Sequence, residues 1–376
     1  MNRRGNRRSM LAAVVTTVAI LAMASTPAFA GHRQDAVRAA AQELVRQGFP
    51  AVVVYVRDGT RERRVAAGKA DMATGEPATA QHRFRIASNT KAFTATVVLQ
   101  LVGEGRLSLS DTLADVLPGV VRGGGYEPER ITVRQLLEHS SGIHDPLDPH
   151  FFDPYLVDQD RGHVYPPREV IRRSLVDPPS FPPGAKTGYS NTGYLLLGLI
   201  IERVTGNAAD WEIRDRILRP LHLNRTTFPL IDPYIHGRHL HGYDLTGQDM
   251  SVFSPSYDWT AGAMMSTVDD LADFHRALFG GRLLAPREQR LLREAGPDGH
   301  HALGVETGPL RCPGRQRTIW GNTGAGPGYL SVSMTTADGT RQVVLVATTF
   351  DLAAELRDEP TVPASPMPAV VAGLCS

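Results

Sequence analysis

The sequence has few cysteines, almost no excess charge of either sign and, after its first thirty residues, no long apolar run. Lysine and arginine number 40 against 39 aspartates and glutamates, so the formal net charge is only +1 and indicates neither nucleic-acid nor membrane-surface binding. A membrane span needs about 20 apolar residues, and we expect none in this later part. What is present is ordinary globular composition, 42% hydrophobic over 376 residues, enough for one large domain or two closely packed lobes.

The first thirty residues have the features of a signal peptide. Four arginines precede an apolar run over 10–23, and Ala28-Phe29-Ala30 matches a small-x-small cleavage site, so the mature chain is expected to begin at Gly31. The alternative is a membrane anchor that is retained instead of cleaved, but the apolar run is short for one. The arginine pair at 7 and 8 allows twin-arginine export as well as the general secretory route. We therefore expect a secreted, extracellular protein.

The two cysteines, Cys312 and Cys375, lack the neighbours of a metal site. Export would place them in an oxidising compartment, where we expect them to pair, with two free thiols as the alternative. The bridge would tie the end of the chain to the strand region near 312.

Strand patterns stand near both ends of the chain. The segment AVVVYV at 51–56 and the segment 61–67 follow a helical pattern at 35–47 and predict a hairpin. YLSVSMT at 329–335 and RQVVLVA at 341–347 predict a second hairpin, because Asp338-Gly339 between them is a strong turn pair.

Helical patterns fill the region between, from about 89 to 290, and are clearest at 92–102 and 192–204. The predicted fold is therefore α+β, an α/β sandwich in which N- and C-terminal segments build one antiparallel sheet with flanking helices. The α/β lobe would span about 31–88 and 291–376, and an all-helical lobe at about 89–290 would be inserted into it. Residues 358–369 are rich in proline and are expected to be irregular.

Ser88 and Lys91 form an S-x-x-K motif at the predicted start of an apolar helix, FRIASNTKAFTATVVLQLV. Their spacing is nearly one helical turn, so both side chains can share a face. A serine hydroxyl needs a base to become nucleophilic, and a lysine amine is such a base only when burial or a helix dipole keeps it neutral. We interpret Ser88 as an acyl-forming nucleophile and Lys91 as its base. An N-cap serine with a surface lysine is the alternative.

Tyr189-Ser190-Asn191 follows about a hundred residues later, directly before a strongly apolar helix pattern. A phenol near a lysine can relay the serine proton to a leaving group, and Asn191 can donate a hydrogen bond to a substrate carbonyl. We interpret Tyr189 as a proton shuttle and Asn191 as a substrate-binding residue. A turn with a helix cap is the alternative.

Asn322-Thr323-Gly324 lies in a glycine-rich stretch, IWGNTGAGPGYLSVSM, beside a predicted strand. Such a backbone lets a substrate lie along the strand edge. The N–H of Ala325, together with that of Ser88, would form an oxyanion hole. We predict substrate-binding roles for Asn322, Thr323, Gly324 and Ala325, with a hairpin entrance as the alternative.

In this order the three motifs resemble those of the class C β-lactamase and D-alanyl-D-alanine carboxypeptidase family. The likeness covers roughly residues 33–376, and a cysteine ahead of the third motif with another at the chain end is similar to the secreted DD-carboxypeptidase/transpeptidase type of Streptomyces. Segments that read like the family are KAFTATVVLQLVGEGRLSLSDTLADVLP, ITVRQLLEHSSGIHD, PPGAKTGYSNTGYLLLGLIIERVTG and AGAMMSTVDDLADF.

The resemblance implies an enzyme that forms an acyl-enzyme on Ser88 and needs no metal or organic cofactor. Expected partners are small-molecule or peptide substrates, such as a D-alanyl peptide, β-lactam, amide or ester, for a monomer without nucleic acid or a stable membrane anchor. We expect a penicillin-binding D-alanyl-D-alanine carboxypeptidase. A β-lactamase, an esterase or D-amino-acid amidase, and a catalytically silent penicillin-binding protein are the alternatives.

Two departures from the family pattern weaken the expectation of a strict carboxypeptidase. Many relatives have His or Lys where this chain has Asn322, which cannot carry positive charge. The resembling carboxypeptidase has an arginine for the terminal carboxylate six residues before the first cysteine, and that count leads here to Glu306, although a short gap could bring Arg311 there. The hypothesis is a peptidase, amidase or esterase that depends less on a substrate carboxylate.

Other candidates carry weaker signals. Lys186-Thr187-Gly188 spells a K-T-G motif known from some penicillin-recognising enzymes, but its Pro-Gly turn directly before Tyr189 does not suit a strand across the cleft, so we reject it. We expect His139 to be structural, His236, His239 and His241 to lie on the surface, and His144, His300 and His301 to lack a partner. Tyr257 and Trp259 would line either the cleft or the core.

Overall fold

The structure is a computed structural model that describes residues 33–145 and 149–375. The signal peptide predicted for 1–30 lies outside the described residues. Among the described helices, none combines the length and apolarity that crossing a bilayer would require.

Strands come from both ends of the chain, as expected: β1 Ala51–Asp58, β2 Arg61–Gly68, β3 Phe84–Arg85, β4 Met265–Ser266, β5 Glu306–Cys312, β6 Arg315–Gly326, β7 Tyr329–Thr336 and β8 Arg341–Ala347. Six of them form an antiparallel sheet in the order β2-β1-β8-β7-β6-β5. β1 carries AVVVYV and is buried on both faces, which explains its continuous apolar run. A separate pair of two-residue strands, β3 and β4, links the turn before Ser88 to the helical region.

Helices cover both faces of the sheet and form a lobe beside it. Short 3₁₀ segments at Ala87–Asn89 and Pro149–Phe152 and a π turn at Arg214–Leu218 interrupt them. The α-helices are α1 Arg33–Arg46, α2 Thr90–Gly103, α3 Leu113–Val116, α4 Val133–Leu137, α5 Asp153–Leu156, α6 Pro167–Ser174, α7 Asn191–Thr205, α8 Ala209–Ile213, α9 Trp259–Gly262, α10 Val268–Phe279, α11 Pro286–Leu291, α12 Leu352–Leu356 and α13 Met367–Cys375.

The two faces of the sheet belong to different hydrophobic cores. Side chains alternate between faces along a strand. Val52 and Val54 pack with α1 and α13, while Val53 and Tyr55 join the core that continues into α2 and α7 of the helical lobe. The cleft that holds the site lies where the core shared with α2 and α7 meets β6.

Three elements differ from the sequence-based expectation. Helix α10 falls within the segment assigned to the inserted lobe, but it packs on the sheet, where the Gln342 amide donates to the Ala272 carbonyl (2.9 Å). Strand β5 was not predicted, because ETGPLRC has no regular alternation of apolar residues. The C-terminal segment predicted to be irregular over 358–369 turns into α13 at Met367.

Candidate active site

Ser88 lies in the 3₁₀ turn Ala87–Asn89, directly before α2. The preceding Ala87 has φ 44°, a left-handed conformation that is uncommon for a residue with a side chain and is concentrated at functional sites. The turn is held against the sheet because the Asn89 amide donates to Ser331 Oγ (2.9 Å), which itself donates to the Ile86 carbonyl (3.0 Å). The serine is therefore presented at a fixed place beside β6 and β7.

Lys91 lies one turn further along α2 and is almost completely buried. Its Nζ is 3.0 Å from Ser88 Oγ, 2.7 Å from Asn191 Oδ1 and 2.9 Å from the Ala261 carbonyl oxygen. Burial lowers the pKa of Lys91 to about 8, although the carboxylates of Asp258, Asp145 and Glu306 oppose the shift. A neutral amine at this place can donate to the amide and carbonyl oxygens while accepting the serine proton.

Tyr189 faces Ser88 from the loop before α7. Its hydroxyl lies 2.7 Å from Ser88 Oγ, and its ring stacks on His139 with centroids 4.5 Å apart. Burial raises the pKa of Tyr189 well above its ordinary value, so the phenol keeps its proton at neutral pH. Ser190 caps α7 by accepting from the Gly193 N–H (3.1 Å), which fixes the loop.

His139 supports this loop from behind. It has φ 60°, is buried, and its Nδ1 accepts from the Ser190 N–H (3.2 Å). Burial lowers the pKa of His139 far below its ordinary range, so it is neutral. The structural role expected for His139 agrees with these contacts, but its contact with the Tyr189 ring was not foreseen, since 50 residues separate the two in sequence.

Asn191 is the first residue of α7, and its side chain is directed at Lys91. Its Oδ1 accepts from Lys91, and its Nδ2 donates to Asp145 Oδ2 (3.0 Å). In this arrangement the amide positions the lysine, and its role as a donor to a substrate carbonyl stays a prediction. Sequence reasoning missed Asp145, whose pKa burial raises to about 6.

The third motif lies on β6 at an open strand edge. β6 pairs with β5 only as far as Gly321, whereas its pairing with β7 continues to Gly326, so one edge of 322–326 has no strand paired to it. The Thr323 N–H points to this edge, because it donates to Glu306 Oε1 (3.4 Å). Alternation along a strand directs the Ala325 N–H to the same edge, as an oxyanion donor requires.

Gly324 allows β6 to approach the serine turn. A Cβ on Gly324 would lie 2.3 Å from the Ile86 carbonyl oxygen and 2.7 Å from Ser331 Oγ. The glycine is thus required by the close contact between β6 and the segment that carries Ser88.

Asn322 is buried at 4% exposure, and its Nδ2 donates to the Gly304 carbonyl (3.0 Å). It also lies beside His275 of α10, a histidine whose pKa burial lowers to about 4. Both side chains are neutral at physiological pH, so neither supplies the positive charge that His or Lys would place here.

Glu306, at the start of β5, lies beside the third motif. Thr323 Oγ1 donates to both of its carboxylate oxygens, at 3.1 and 3.3 Å. Arg311, the alternative considered for this place, is exposed five residues further along β5. The structure thus places a carboxylate next to Thr323.

The other histidines singled out from the sequence have oxygen partners. His301 lines the cleft and bonds to Asp298 (2.6 Å), and His300 bonds to the Thr307 carbonyl (2.6 Å), so the expectation that the two lack partners was wrong. His144, also expected to lack one, bonds to the Asp145 carbonyl oxygen (3.0 Å). His236, His239 and His241 bond to Asp232, the Gly237 carbonyl and Asp249. Among the described residues, no group of three His, Cys, Asp or Glu side chains could hold a metal ion.

Three further candidates complete the set taken from the sequence. Lys186 is exposed in the loop before Tyr189, whereas Asn322-Thr323-Gly324 is on a strand, as expected when the K-T-G sequence was rejected. Trp259 is buried and packs so closely on α7 that a Cβ on Gly198 would lie 2.6 Å from its ring. Tyr257 lies edge-on to Phe152, with ring centroids 5.1 Å apart.

Comparison with known proteins gives one consistent result. The family described as Beta-lactamase matches residues 36–364, and protein flp of Staphylococcus aureus (strain MW2) is 33% identical over 224 residues, 59% of this chain. Because that match is 43% of the relative, the chain spans less than half of its length.

Two solved structures have the same fold over most of their length. The D-stereospecific amidohydrolase from Streptomyces sp. matches with a TM-score of 0.80 and 31% identity, covering 91% of this chain and 98% of that one. The D-amino acid amidase from Ochrobactrum anthropi SV3 matches with a TM-score of 0.69 and 26% identity, covering 83% and 92%. With a serine, a lysine and a tyrosine converging in the cleft and a family match over most of its residues, the chain belongs to the β-lactamase family of serine hydrolases.

Proposed function

We propose that the protein is a serine amidohydrolase that acts on D-configured amides and short peptides through an acyl-enzyme on Ser88. The observation that carries the proposal is the position of Ser88 Oγ between Lys91 Nζ (3.0 Å) and the Tyr189 hydroxyl (2.7 Å). Similarity to a D-stereospecific amidohydrolase and a D-amino acid amidase supports an amide as the scissile bond.

The charges of the three groups suggest how the proton moves. Neutral Lys91 takes the proton of Ser88 as Oγ forms a bond to the substrate carbonyl carbon, and the negative oxygen that develops accepts from the Ser88 and Ala325 N–H groups. As the C–N bond breaks, Tyr189 gives its proton to the leaving nitrogen and regains one from protonated Lys91. Water then attacks the ester, giving the acid and free Ser88.

A penicillin-binding D-alanyl-D-alanine carboxypeptidase is the second candidate. The same Ser88, Lys91 and Tyr189 arrangement could open a β-lactam ring, and a fast second step would make the protein a β-lactamase. Neutral Asn322 and the carboxylate of Glu306 beside Thr323 disfavour a substrate with a free terminal acid, which is why we place the amidohydrolase first. Export through residues 1–30 and action as a secreted monomer are also part of the proposal.

Incubation of the mature protein with a fluorescent penicillin, followed by gel and intact mass, tests the nucleophile. We expect a label that persists, with hydrolysis of a D-aminoacyl p-nitroanilide and little of its L enantiomer. Rapid turnover of the penicillin would favour the β-lactamase. Absence of both label and hydrolysis would favour a binding protein.

Ser88→Ala should abolish label and hydrolysis while leaving the circular dichroism spectrum and melting temperature unchanged, since only the attacking oxygen is removed. Ser110→Ala, at an exposed serine of a surface turn, is the matched control and should label like the parent. Label remaining on Ser88→Ala would show that another residue is the nucleophile.

A further inference from the structure

Glu306 shares one cavity with the reacting groups. Ser88, Lys91, Tyr189, His301 and Glu306 all line it. Thr323 Oγ1 and N–H both donate to the Glu306 carboxylate, and the hydrogen bonds found for that carboxylate among the described residues come from Thr323. Two oxygens with several acceptor positions therefore face a cleft in which a substrate would lie.

The nearby cationic or titratable groups are bonded elsewhere. Lys91 is bonded to Ser88, Asn191 and Ala261, while His301 is bonded to Asp298 and His300 to the Thr307 carbonyl. The Glu306 carboxyl group is thus left without a direct ion pair from these groups.

Glu306 lines the same cavity as Tyr189, the group that would protonate the leaving nitrogen. In the proposed reaction the oxyanion accepts from the Ala325 N–H, and Tyr189, whose hydroxyl lies 2.7 Å from Ser88 Oγ, protonates the leaving nitrogen. Thr323 lies two residues before Ala325 on the same strand edge, about 7 Å away, and holds the Glu306 carboxylate there. A leaving amine longer than ammonia would therefore extend toward Glu306 and Thr323.

We propose that Glu306 and Thr323 form a leaving-group subsite that selects amides whose leaving amine carries a positive charge and rejects amines that end in a free carboxylate. This deepens the proposed function and rests on it, because a leaving group exists only if Ser88 is acylated. The ligand class is an aminoalkyl amine, such as a diamine or a basic amine of similar length, whose ammonium would pair with Glu306.

The selectivity should depend on pH in a defined direction. Burial raises the pKa of Glu306, while the nearby His301 and His300 act against the shift. Lowering the pH protonates the carboxylate, so the preference for a cationic leaving group should shrink as pH falls. Comparing substrates at each pH cancels the separate effect of Lys91 on the overall rate.

Three substrates with the same D-phenylalanyl group test the subsite: the 2-aminoethyl amide (cationic), the glycinamide (neutral) and the glycine dipeptide (anionic). We expect kcat/KM to fall in that order, with at least 100-fold between first and last. In Glu306→Gln this ratio should fall at least tenfold, and in Glu306→Arg the order should reverse. Glu294→Gln, at a surface acid paired with Arg134, is the matched control and should keep the parent ratio.

The inference is overturned if the parent enzyme prefers the dipeptide, or if Glu306→Gln keeps the parent ratio. If a Glu306 variant fails to fold, the pH dependence of the ratio in the parent enzyme decides, and a constant ratio between pH 5 and 8 overturns the inference. If the enzyme hydrolyses the glycinamide but shows no preference among the three substrates by charge, only the proposed subsite is overturned. If none of the three is hydrolysed and penicillin does not label the protein, the proposed function is overturned as well.

Discussion

At the scale of single residues, the charge of Lys91 decides whether the site can react. Three acceptors surround Nζ within 3.0 Å, an arrangement that suits an ammonium, whereas the reaction needs the neutral amine. A pKa of about 8 leaves on the order of a tenth of the lysine neutral at pH 7, and the fraction rises with pH. Acylation should therefore become faster between pH 6 and 8.

Asp145→Asn should move the rise in acylation rate to lower pH, by on the order of one pH unit. The Asp145 carboxylate favours the charged form of Lys91, and asparagine removes the charge while keeping an oxygen to accept from Asn191. The measurement is the rate of penicillin labelling against pH. Asp215→Asn, at a surface acid paired with Arg219, should leave the profile in place. A shift to higher pH would contradict the assigned role of Asp145.

At the scale of elements, regular patterns were predicted well. The hairpin of β1 and β2, the hairpin of β7 and β8 and helices α2 and α7 follow from local apolar periodicity and turn residues. β5 and α13 were missed, since both are stabilised by neighbours distant in sequence. β5 pairs with β6, and α13 packs on β8 and α1.

The residues of the site also divide into those that short motifs predicted and those that depend on contacts between distant segments. Ser88, Lys91, Tyr189 and Asn191 lie in short motifs at helix starts, so their chemistry could be inferred before their geometry. Asp145, His139 and His301 act through contacts between distant segments, and no spacing rule relates them to Ser88. Glu306 was reached only by counting back from Cys312, and its contact with Thr323 needed the register of β5 against β6.

Gly324→Ala tests how β6 and the serine turn depend on each other. A Cβ 2.3 Å from the Ile86 carbonyl oxygen must push the strand away, which displaces the Ala325 N–H from the oxyanion position. Loss of one such donor costs about 100-fold in rate, or roughly 2.7 kcal/mol. We expect that loss in kcat/KM for the p-nitroanilide.

Gly308→Ala on β5 is the matched control for Gly324→Ala. The closest contact of a Cβ at Gly308 would be His300 Nδ1 at 3.8 Å, an ordinary van der Waals distance. Activity of Gly324→Ala within a few-fold of the parent would show that β6 does not need this close approach.

At the scale of the whole molecule, the sheet separates the reactive cleft from a second core. That core joins α1 and α13 to the opposite face through Val37, Leu44, Val52, Leu345 and Leu374. Cys312 and Cys375 form a disulfide across 63 positions of the chain and fasten α13 to β5. Stability and catalysis are therefore governed by opposite faces of one sheet, although β5 belongs to both because it also carries Glu306.

Removing the disulfide should lower stability more than activity. In the chain-entropy account, a bridge closing a loop of this length contributes up to about 4 kcal/mol, and removal of a native bridge costs about 2–5 kcal/mol. The double substitution Cys312→Ser and Cys375→Ser should therefore melt several degrees lower, and dithiothreitol should lower the parent melting temperature but not that of the variant. Hydrolysis of the p-nitroanilide at 25 °C should stay within a few-fold of the parent, since Ser88, Lys91 and Tyr189 lie beyond the other face. If the rate fell as steeply as for Gly324→Ala while the variant remained folded, the position of β5, and with it Glu306, would depend on the bridge, and the two faces would not be independent.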